Sequence, residues 1–200
     1  MTAESGQSWP MPPPDGYTVD DLLTLPGLPP HTELIDGGLV LVSPQRYFHL
    51  AMIRLLEAGL LRTMPEHLWV VSEMTVVIDR RNGPEPDISV VRADALTSVD
   101  QTSFRAADVV LAVEVVSPES EGRDRETKPQ KYAKAGIPHF WRVERVGDEG
   151  RPVVHVYVLD EQTGAYAHAG LHQDRLKVSL PYEVDIDLAV PLPPGLSGPR

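Results

Sequence analysis

Two acidic residues of this 200-residue chain lie in stretches that are otherwise strongly apolar. Asp87 opens the run PDISVV, and Glu114 lies in the middle of the apolar stretch 108–116. Burying an ionised carboxylate is costly unless the group is paired, protonated or bound to a metal ion. Mg²⁺ prefers carboxylate oxygens and keeps water molecules and substrate phosphates as its other ligands. If Asp87 and Glu114 meet in the fold, they are candidate ligands of a divalent cation.

Lysines follow shortly after Glu114, since three of the chain's four lysines are Lys128, Lys131 and Lys134. A bound metal ion lowers the pKa of a water molecule and neutralises charge on a phosphate, and an ammonium group stabilises negative charge as it develops. This combination favours hydrolysis of a phosphodiester. The spacing does not show that the two acids meet. The same residues are equally compatible with Asp87 as a turn acid and Glu114 as an internal salt-bridge partner.

The composition restricts the compartment and the kind of nucleic-acid contact. The chain has 18 basic and 29 acidic residues, a net charge of −11 and a pI near 5.0. A broad electrostatic surface for nucleic acid is therefore excluded, and any such contact must be local. The chain has no cysteine, which fits a reducing compartment. Because it also shows neither a signal peptide nor an apolar run of roughly 18 residues, we expect a soluble cytoplasmic protein without a membrane partner.

Before Asp87 the sequence predicts helices and a hairpin. Residues 1–16 are rich in proline and predict a flexible tail. Thr18 and Asp21 form a capping-box pattern that predicts a short helix over 19–25. Two apolar runs about Asp36-Gly37-Gly38 predict a hairpin over 33–43. A longer helix is predicted over 46–64, and its expected buried face consists of residues at helical spacing: Leu50, Ile53, Leu56 and Leu60.

From Asp87 onward strands predominate. The predicted strands of this region and just before it are 69–78, 86–91, 108–116 and 137–144. A helix that ends at Gly136 precedes the last of them. Alternating runs after residue 150 predict an antiparallel meander, and residues 191–200 predict a second flexible tail. The pattern predicts one α/β domain over 17–190, with a mixed β-sheet flanked by helices, an N-terminal hairpin and C-terminal antiparallel strands.

Several short motifs together resemble a known family. They are ELIDG at 33–37, Ser43-Pro44 followed by His49, Pro86-Asp87, EVVSP at 114–118, and the spaced series Asp124, Lys128, Tyr132, Gly136 and Trp141. A single Pro-Asp pair carries no information, whereas EVVSP followed by that series is specific. In order and spacing the motifs resemble the Uma-type putative restriction endonuclease family, a branch of the PD-(D/E)XK nuclease superfamily, over about residues 17–191.

The resemblance implies a restriction-endonuclease-like core and a Mg²⁺- or Mn²⁺-dependent endonuclease that acts on DNA, with RNA as an open alternative. It implies that Asp87 and Glu114 are metal ligands, that Lys128 is the catalytic lysine and that Glu33 is an auxiliary acid. From its own context Glu33 fits an exposed position of the hairpin equally well. A homodimer is compatible with this chemistry because two active sites can cut two strands.

The chain departs from the superfamily pattern at one position. Two residues after Glu114, where the generic motif has lysine, the chain has Val116. The resemblance places the replacement at Lys128, on the following helix, while Lys131 lies on the same helix face by periodicity. Pro129 cannot lie inside a regular helix, and Thr127 with Gln130 makes a capping-box pattern, so we expect the helix to begin at Lys128.

Other candidates receive less weight. His49 is predicted to be a core or capping histidine rather than a catalytic one. His168 and His172 have a spacing typical of metal ligands, but Gly170 lies between them and predicts a surface loop. Tyr132 is expected to be a packing residue, and Asp124 either orients a lysine or caps the loop.

Two further classes of function stay open. A protein of the nuclease fold that binds nucleic acid or another protein without cutting is compatible with the net charge of −11 and with Val116. A glycosidase with two carboxylates is disfavoured because only 6% of the residues are aromatic, and a sugar cleft would require more.

Overall fold

The computed structural model of the protein describes residues 11–41, 44–147 and 150–189. The predicted tails therefore fall mainly outside the described residues. The helices are α1 (Val19–Thr24), α2 (Tyr47–Thr63) and α3 (Lys128–Lys134), and a π-helical segment, Arg123–Thr127, leads directly into α3. The strands up to the central one are β1 (Glu33–Ile35), β2 (Gly38–Val40), β3 (Leu68–Ser72), β4 (Thr75–Val77), β5 (Ile88–Arg92), β6 (Ser103–Arg105) and β7 (Val109–Val115). The later strands are β8 (His139–Val146), β9 (Arg151–Asp160), β10 (Ala165–His172), β11 (Arg175–Val178) and β12 (Val184–Asp187).

A six-stranded sheet with the order β10-β9-β8-β7-β5-β3 forms the centre of the molecule. β7 and β8 run parallel, and every other neighbouring pair in this sheet is antiparallel. The helical connection from β7 to β8, which includes α3, is what a parallel pair requires. The pairs β1–β2, β11–β12 and β4–β6 form three smaller sheets. The predicted class, a mixed sheet with a hairpin before it and antiparallel strands after it, is confirmed.

Apolar residues cover both faces of the central sheet. On one face α2 and the β11–β12 pair pack against β7 and β8, with Leu56, Leu60, Val113 and Trp141 fully buried. On the other face α3 packs through Tyr132 and neighbouring residues. Because β7 is covered on both sides, it reads as a nearly continuous apolar run, as central strands do. No helix in the described part of the chain is long and apolar enough to cross a bilayer.

Three local predictions are confirmed. Thr18 and Asp21 form the complete capping box at the start of α1. Asp36 (φ 51°) and Gly37 (φ 81°) form the turn between β1 and β2, and such a turn needs two residues with positive φ. Gly136 has φ 80° and directly follows Ala135, the C-cap residue of α3, so it terminates the helix as expected.

The strand predicted over 69–78 is wrong, because the chain turns in its middle. β3 ends at Ser72, and Glu73 adopts a left-handed conformation with φ 53°. β3 forms an edge of the central sheet, whereas β4 leaves it and pairs in parallel with β6. Apolar residues stand on both sides of Ser72-Glu73, so the stretch reads as one apolar run and the break was not predicted.

The predicted buried face of α2 is partly wrong. Ile53, Leu56 and Leu60 are buried, but Leu50 is 43% exposed and His49 is only 4% exposed. Near its start, the buried side of α2 therefore faces a polar cavity. His49 is the buried residue there, although hydrophobicity predicted Leu50.

Gly59 of α2 is expected to be intolerant of a side chain. A Cβ atom at this position would lie 2.3 Å from Cδ1 and 2.4 Å from Cγ1 of the buried Ile186. Gly59→Ala should therefore lower the free energy of unfolding by about 1 kcal/mol or more, since overpacking outweighs the gain in helix propensity. Gly122 has helical φ and ψ, and none of the described residues lies within 4 Å of an added Cβ. Gly122→Ala should accordingly be neutral or stabilising. Urea titration of both variants and of the wild type measures the free energies of unfolding. Equal stabilities of the two variants would contradict this account of α2 packing.

Candidate active site

Asp87 and Glu114 line one cavity of about 560 Å³ at an end of the central sheet. Asp87 immediately precedes β5, and Glu114 is the penultimate residue of β7, the antiparallel neighbour of β5. Asp87 Oδ2 accepts a hydrogen bond of 2.5 Å from the backbone N–H of Val115. The Asp87 side chain is 15% exposed, whereas Glu114 is 1% exposed. The pairing of β5 with β7 thus brings together the two acids that the sequence separates by 27 positions.

Lys128 places its ammonium group among three carboxylates of this cavity. Lys128 Nζ lies 2.7 Å from Glu33 Oε1, 3.0 Å from Glu114 Oε2 and 3.5 Å from Asp124 Oδ1. Lys128, Glu33, Glu114 and Asp124 are all at most 4% exposed. We call these four residues the buried ion cluster. It joins β1, β7 and the helical segment before α3 through one ammonium group.

The pKa values of the buried ion cluster show that its charges depend on one another. Burial alone would lower the pKa of Lys128, but the surrounding carboxylates, Glu114 first, outweigh burial and raise it well above its ordinary value. Burial raises the pKa of Glu114 well above its ordinary value, although the charge of Lys128 acts in the opposite direction. Burial likewise raises the pKa of Asp124. Lys128 is therefore a permanent positive charge at neutral pH and not a candidate general base.

A π-helical turn determines where Lys128 points. Residues 123–127 are π-helical, and the N–H of Lys128 donates to the carbonyl of Arg123, five residues earlier. The predicted capping box is wrong, because Thr127 is itself helical and makes no side-chain cap to the helix. α3 begins at Lys128 as expected and holds Pro129 in its first turn, but the π-helical segment leads into it without a break. Such π-bulges are rare and occur often at functional sites.

Glu33 and Tyr132 take part in the site more directly than the sequence indicated. Glu33 is buried, so the alternative that it is an exposed hairpin residue is wrong, and its Oε1 also accepts a 2.9 Å hydrogen bond from the N–H of Glu85. Tyr132, expected only to pack, donates its hydroxyl hydrogen to Glu114 Oε1 at 2.6 Å. Both oxygens of Glu114 are therefore held by protein groups, one by Tyr132 and the other by Lys128.

His49, predicted to be a core or capping histidine, is buried and also lines this cavity. Its Nε2 lies 3.1 Å from Asp87 Oδ1, and its Nδ1 is buried without a hydrogen-bond partner among the described residues. Burial alone would lower the pKa of His49, but the hydrogen bond to Asp87 and its charge outweigh burial and raise it. The available signal was its place after Ser43-Pro44 in the family motifs, whereas hydrophobic periodicity concealed it.

Asp124 lines the cavity, whereas Lys131, His168 and His172 lie outside it. Asp124 combines both expected roles, because its Oδ2 accepts a hydrogen bond from Ser120 at the end of the loop while Oδ1 faces Lys128. Lys131 lies outside the cavity and pairs with Asp36 Oδ1 at 2.6 Å. The prediction of a surface loop at His168 and His172 is wrong, since both lie in β10.

The charge and chemistry of the cavity fit a divalent cation. Four carboxylates, those of Glu33, Asp87, Glu114 and Asp124, face one ammonium group, which leaves an excess of negative charge in a nearly buried space. Asp124 Oδ1 is buried without a hydrogen-bond partner among the described residues. In that part of the chain no group of three or more histidine or acidic residues is arranged to enclose a metal ion. Mg²⁺ does not require such a group, because it is commonly held by one or two carboxylates together with water and phosphate oxygens.

Comparisons with known proteins identify the family to which the chain belongs. Residues 19–191 match the model of the family described as "Uma2: Putative restriction endonuclease". No protein with a curated description matches the chain. Among solved structures, the chain is similar to "a putative nuclease belonging to DUF820 from Anabaena variabilis ATCC 29413", with a TM-score of 0.63 and 18% sequence identity. That similarity covers 82% of this chain and 89% of the other.

The fold and the site define a protein of the α/β class with a restriction-endonuclease-like core. The chain belongs to the Uma2 family of restriction-endonuclease-like proteins, because the family model spans most of its length. This assignment supports a nuclease activity in general. The metal requirement, the substrate and the catalytic roles of individual residues stay predictions.

Removing the ammonium group of the buried ion cluster should destabilise the protein in a pH-dependent way. Lys128→Met leaves three buried carboxylates without their shared cation, and the expected loss is about 3–5 kcal/mol near pH 7. Folded carboxyls with raised pKa values bind more protons than unfolded ones, so lowering the pH favours the folded state. The loss should therefore shrink as the pH falls toward the ordinary glutamate pKa of about 4.5.

The measurement is urea unfolding of metal-free protein at several pH values, with each variant compared with the wild type. Lys131→Met is the matched control, and it should cost at most about 1 kcal/mol because its partner Asp36 is 70% exposed. A loss for Lys128→Met that does not change with pH would contradict the raised carboxyl pKa values.

Proposed function

We propose that this protein is a Mg²⁺- or Mn²⁺-dependent endonuclease that hydrolyses phosphodiester bonds in DNA. The observation that carries the proposal is the cavity in which Asp87, Glu114 and the protonated Lys128 lie together. Two acids at one cavity and one fixed cation beside them are the groups that metal-assisted phosphodiester hydrolysis requires. Membership in the family supports the same conclusion.

Asp87 and Glu114 would hold the metal ion. When bound, the ion would lower the pKa of a water molecule and neutralise charge on the scissile phosphate. The protein orients both carboxylates in advance. The N–H of Val115 and His49 Nε2 contact the two oxygens of Asp87, and the hydroxyl of Tyr132 contacts Glu114. These contacts limit rotation of the carboxylates, which favours a defined ligand geometry.

Lys128 would act as a charge donor. Because its pKa is raised, it keeps its proton at neutral pH and can stabilise an attacking hydroxide or the negative oxygens of the transition state. Glu33 holds the ammonium group at 2.7 Å and is itself held by the N–H of Glu85. The auxiliary role proposed for Glu33 is therefore to position Lys128.

A second function, binding of protein or of nucleic acid without cutting, is compatible with the net charge of −11. The lysine expected two residues after Glu114 is also replaced by Val116. The two functions separate in one experiment: incubation of the protein with Mn²⁺ and single-stranded, duplex and branched DNA, and with RNA. Metal-dependent cleavage supports the nuclease, whereas binding without cleavage supports the second function.

Cleavage should depend on both acids. Asp87→Asn and Glu114→Gln are each expected to lower the rate at least about a hundredfold, because each removes one anionic ligand from the position where the metal stabilises charge. Initial rates with Mn²⁺ on the preferred substrate measure this. Asp94→Asn is the matched control, since Asp94 is 82% exposed, lies outside this cavity and should leave the rate unchanged. Substantial metal-dependent cleavage by both site variants would exclude these acids as essential ligands.

Metal binding should also stabilise the fold. Mn²⁺ at about 100 times its dissociation constant should raise the free energy of unfolding by roughly 2.7 kcal/mol, which amounts to several degrees in Tm. Asp87→Asn should lose most of this increment. Thermal unfolding with and without Mn²⁺ tests the site independently of any substrate. An identical shift in wild type and Asp87→Asn would place the ion elsewhere.

A further inference from the structure

The cavity of the proposed active site is strongly acidic, although its proposed substrate is an anion. Seven acidic residues line the cavity, so a phosphate backbone approaching it meets strong repulsion. The cationic side chains that line the same cavity are those of His31, His49, Arg123 and Lys128. A group that attracts the substrate must come from these four or from the metal ion.

Three of the four are already neutralised by acids. Lys128 lies within 3.5 Å of three carboxylates. His49 contacts Asp87 at 3.1 Å, and His31 contacts Glu85 at 2.6 Å. Arg123 differs, because it has no ion pair or hydrogen bond from its side chain to any described residue. Its Nε is buried and unpartnered, while the residue as a whole is partly exposed.

The π-helical turn explains why Arg123 faces the cavity. In a regular α-helix two residues five positions apart lie about 140° apart around the axis, so Arg123 and Lys128 would point in different directions. In the π-helical turn the N–H of Lys128 donates to the carbonyl of Arg123, and the two residues are stacked on one side of the helix. Both consequently line the same cavity, with Lys128 in its interior and Arg123 nearer to solvent.

We infer that Arg123 binds a phosphate group of the nucleic-acid backbone at the mouth of the cavity, beside the phosphate that Asp87, Glu114 and Lys128 would process. The inference rests on the proposed function and adds the residue that holds the substrate. A guanidinium suits this task because its planar donors match two phosphate oxygens. The Nε of Arg123 has no hydrogen-bond partner among the described residues.

Arg123→Gln should weaken substrate binding and leave the metal site intact. KM should rise about tenfold, with kcat changed less than about threefold, because the lost contact is made in the ground state and the transition state alike. The slope of log(kcat/KM) against log[KCl] should become shallower by about 0.7–0.9, the value for one phosphate contact. The Mn²⁺-induced rise in Tm should equal that of the wild type.

Two control variants make the measurement specific. Arg123→Lys keeps the charge and should keep the salt dependence, with an intermediate KM. Arg54→Gln removes an exposed arginine of α2 outside the cavity and should behave as wild type. Binding of a fluorescent oligodeoxynucleotide in the same Mn²⁺ buffer, followed by anisotropy, is measured for every variant.

The outcomes distinguish this inference from the proposed function. If the wild type cuts and Arg123→Gln has the wild-type KM and salt slope, the inference is overturned and the nuclease function stands. If the wild type binds the oligonucleotide without cutting and Arg123→Gln binds it more weakly, the phosphate site stands and the catalytic proposal fails. If the wild type neither binds nor cuts, both are refuted.

Discussion

One buried ammonium group, that of Lys128, holds three parts of this fold together. Lys128 is removed from water together with Glu33, Glu114 and Asp124, and removing any of these charges from water alone would cost several kcal/mol. Burial of these four charges is tolerable only because the ammonium group pairs with the three carboxylates. Since they come from the N-terminal hairpin, the central strand and the helical segment before α3, these three elements must dock in one arrangement. The cluster therefore constrains where the hairpin docks against the central strand.

The same constraint accounts for the irregular helix. A lysine on β7 two residues after Glu114 would point along the same face of the strand, but Val116 is there instead. The ammonium group comes from the helix that covers this face. Pro129 of that helix has no N–H to donate to the carbonyl four residues earlier, so a regular α-helix cannot run through it. The π-helical segment compensates for the missing strand lysine and for the proline. It accommodates the proline and turns Arg123, Asp124 and Lys128 toward the cavity.

The site receives its side chains from both faces of the sheet. α2 packs on one face and brings His49 to Asp87, while the helical segment on the other face brings Lys128 and Tyr132 to Glu114. Asp87 and Glu114 lie where β5 begins and β7 ends, so groups from both layers reach the same end of the sheet. Cationic groups from both layers, His49 and Lys128, therefore meet at one end of the sheet in a protein whose net charge is −11.

The class of fold, the capping box of α1, the hairpin turn at Asp36-Gly37 and the helix end at Gly136 could be predicted from the amino-acid sequence. Each of these features depends on local conformational preference or on hydrophobic periodicity. The sequence also indicated Asp87, Glu114, Glu33 and Lys128, since charges in or beside apolar runs are conspicuous and the family motifs contain them. Only the tertiary structure decided that Glu33 is buried, that His49 contacts Asp87 and that Tyr132 contacts Glu114. It also decided that the strand predicted over 69–78 divides at Glu73 and that a π-helical turn precedes Lys128. The physical reason is that these features depend on groups distant in sequence competing for the same buried space, and neither periodicity nor spacing records which of them meet.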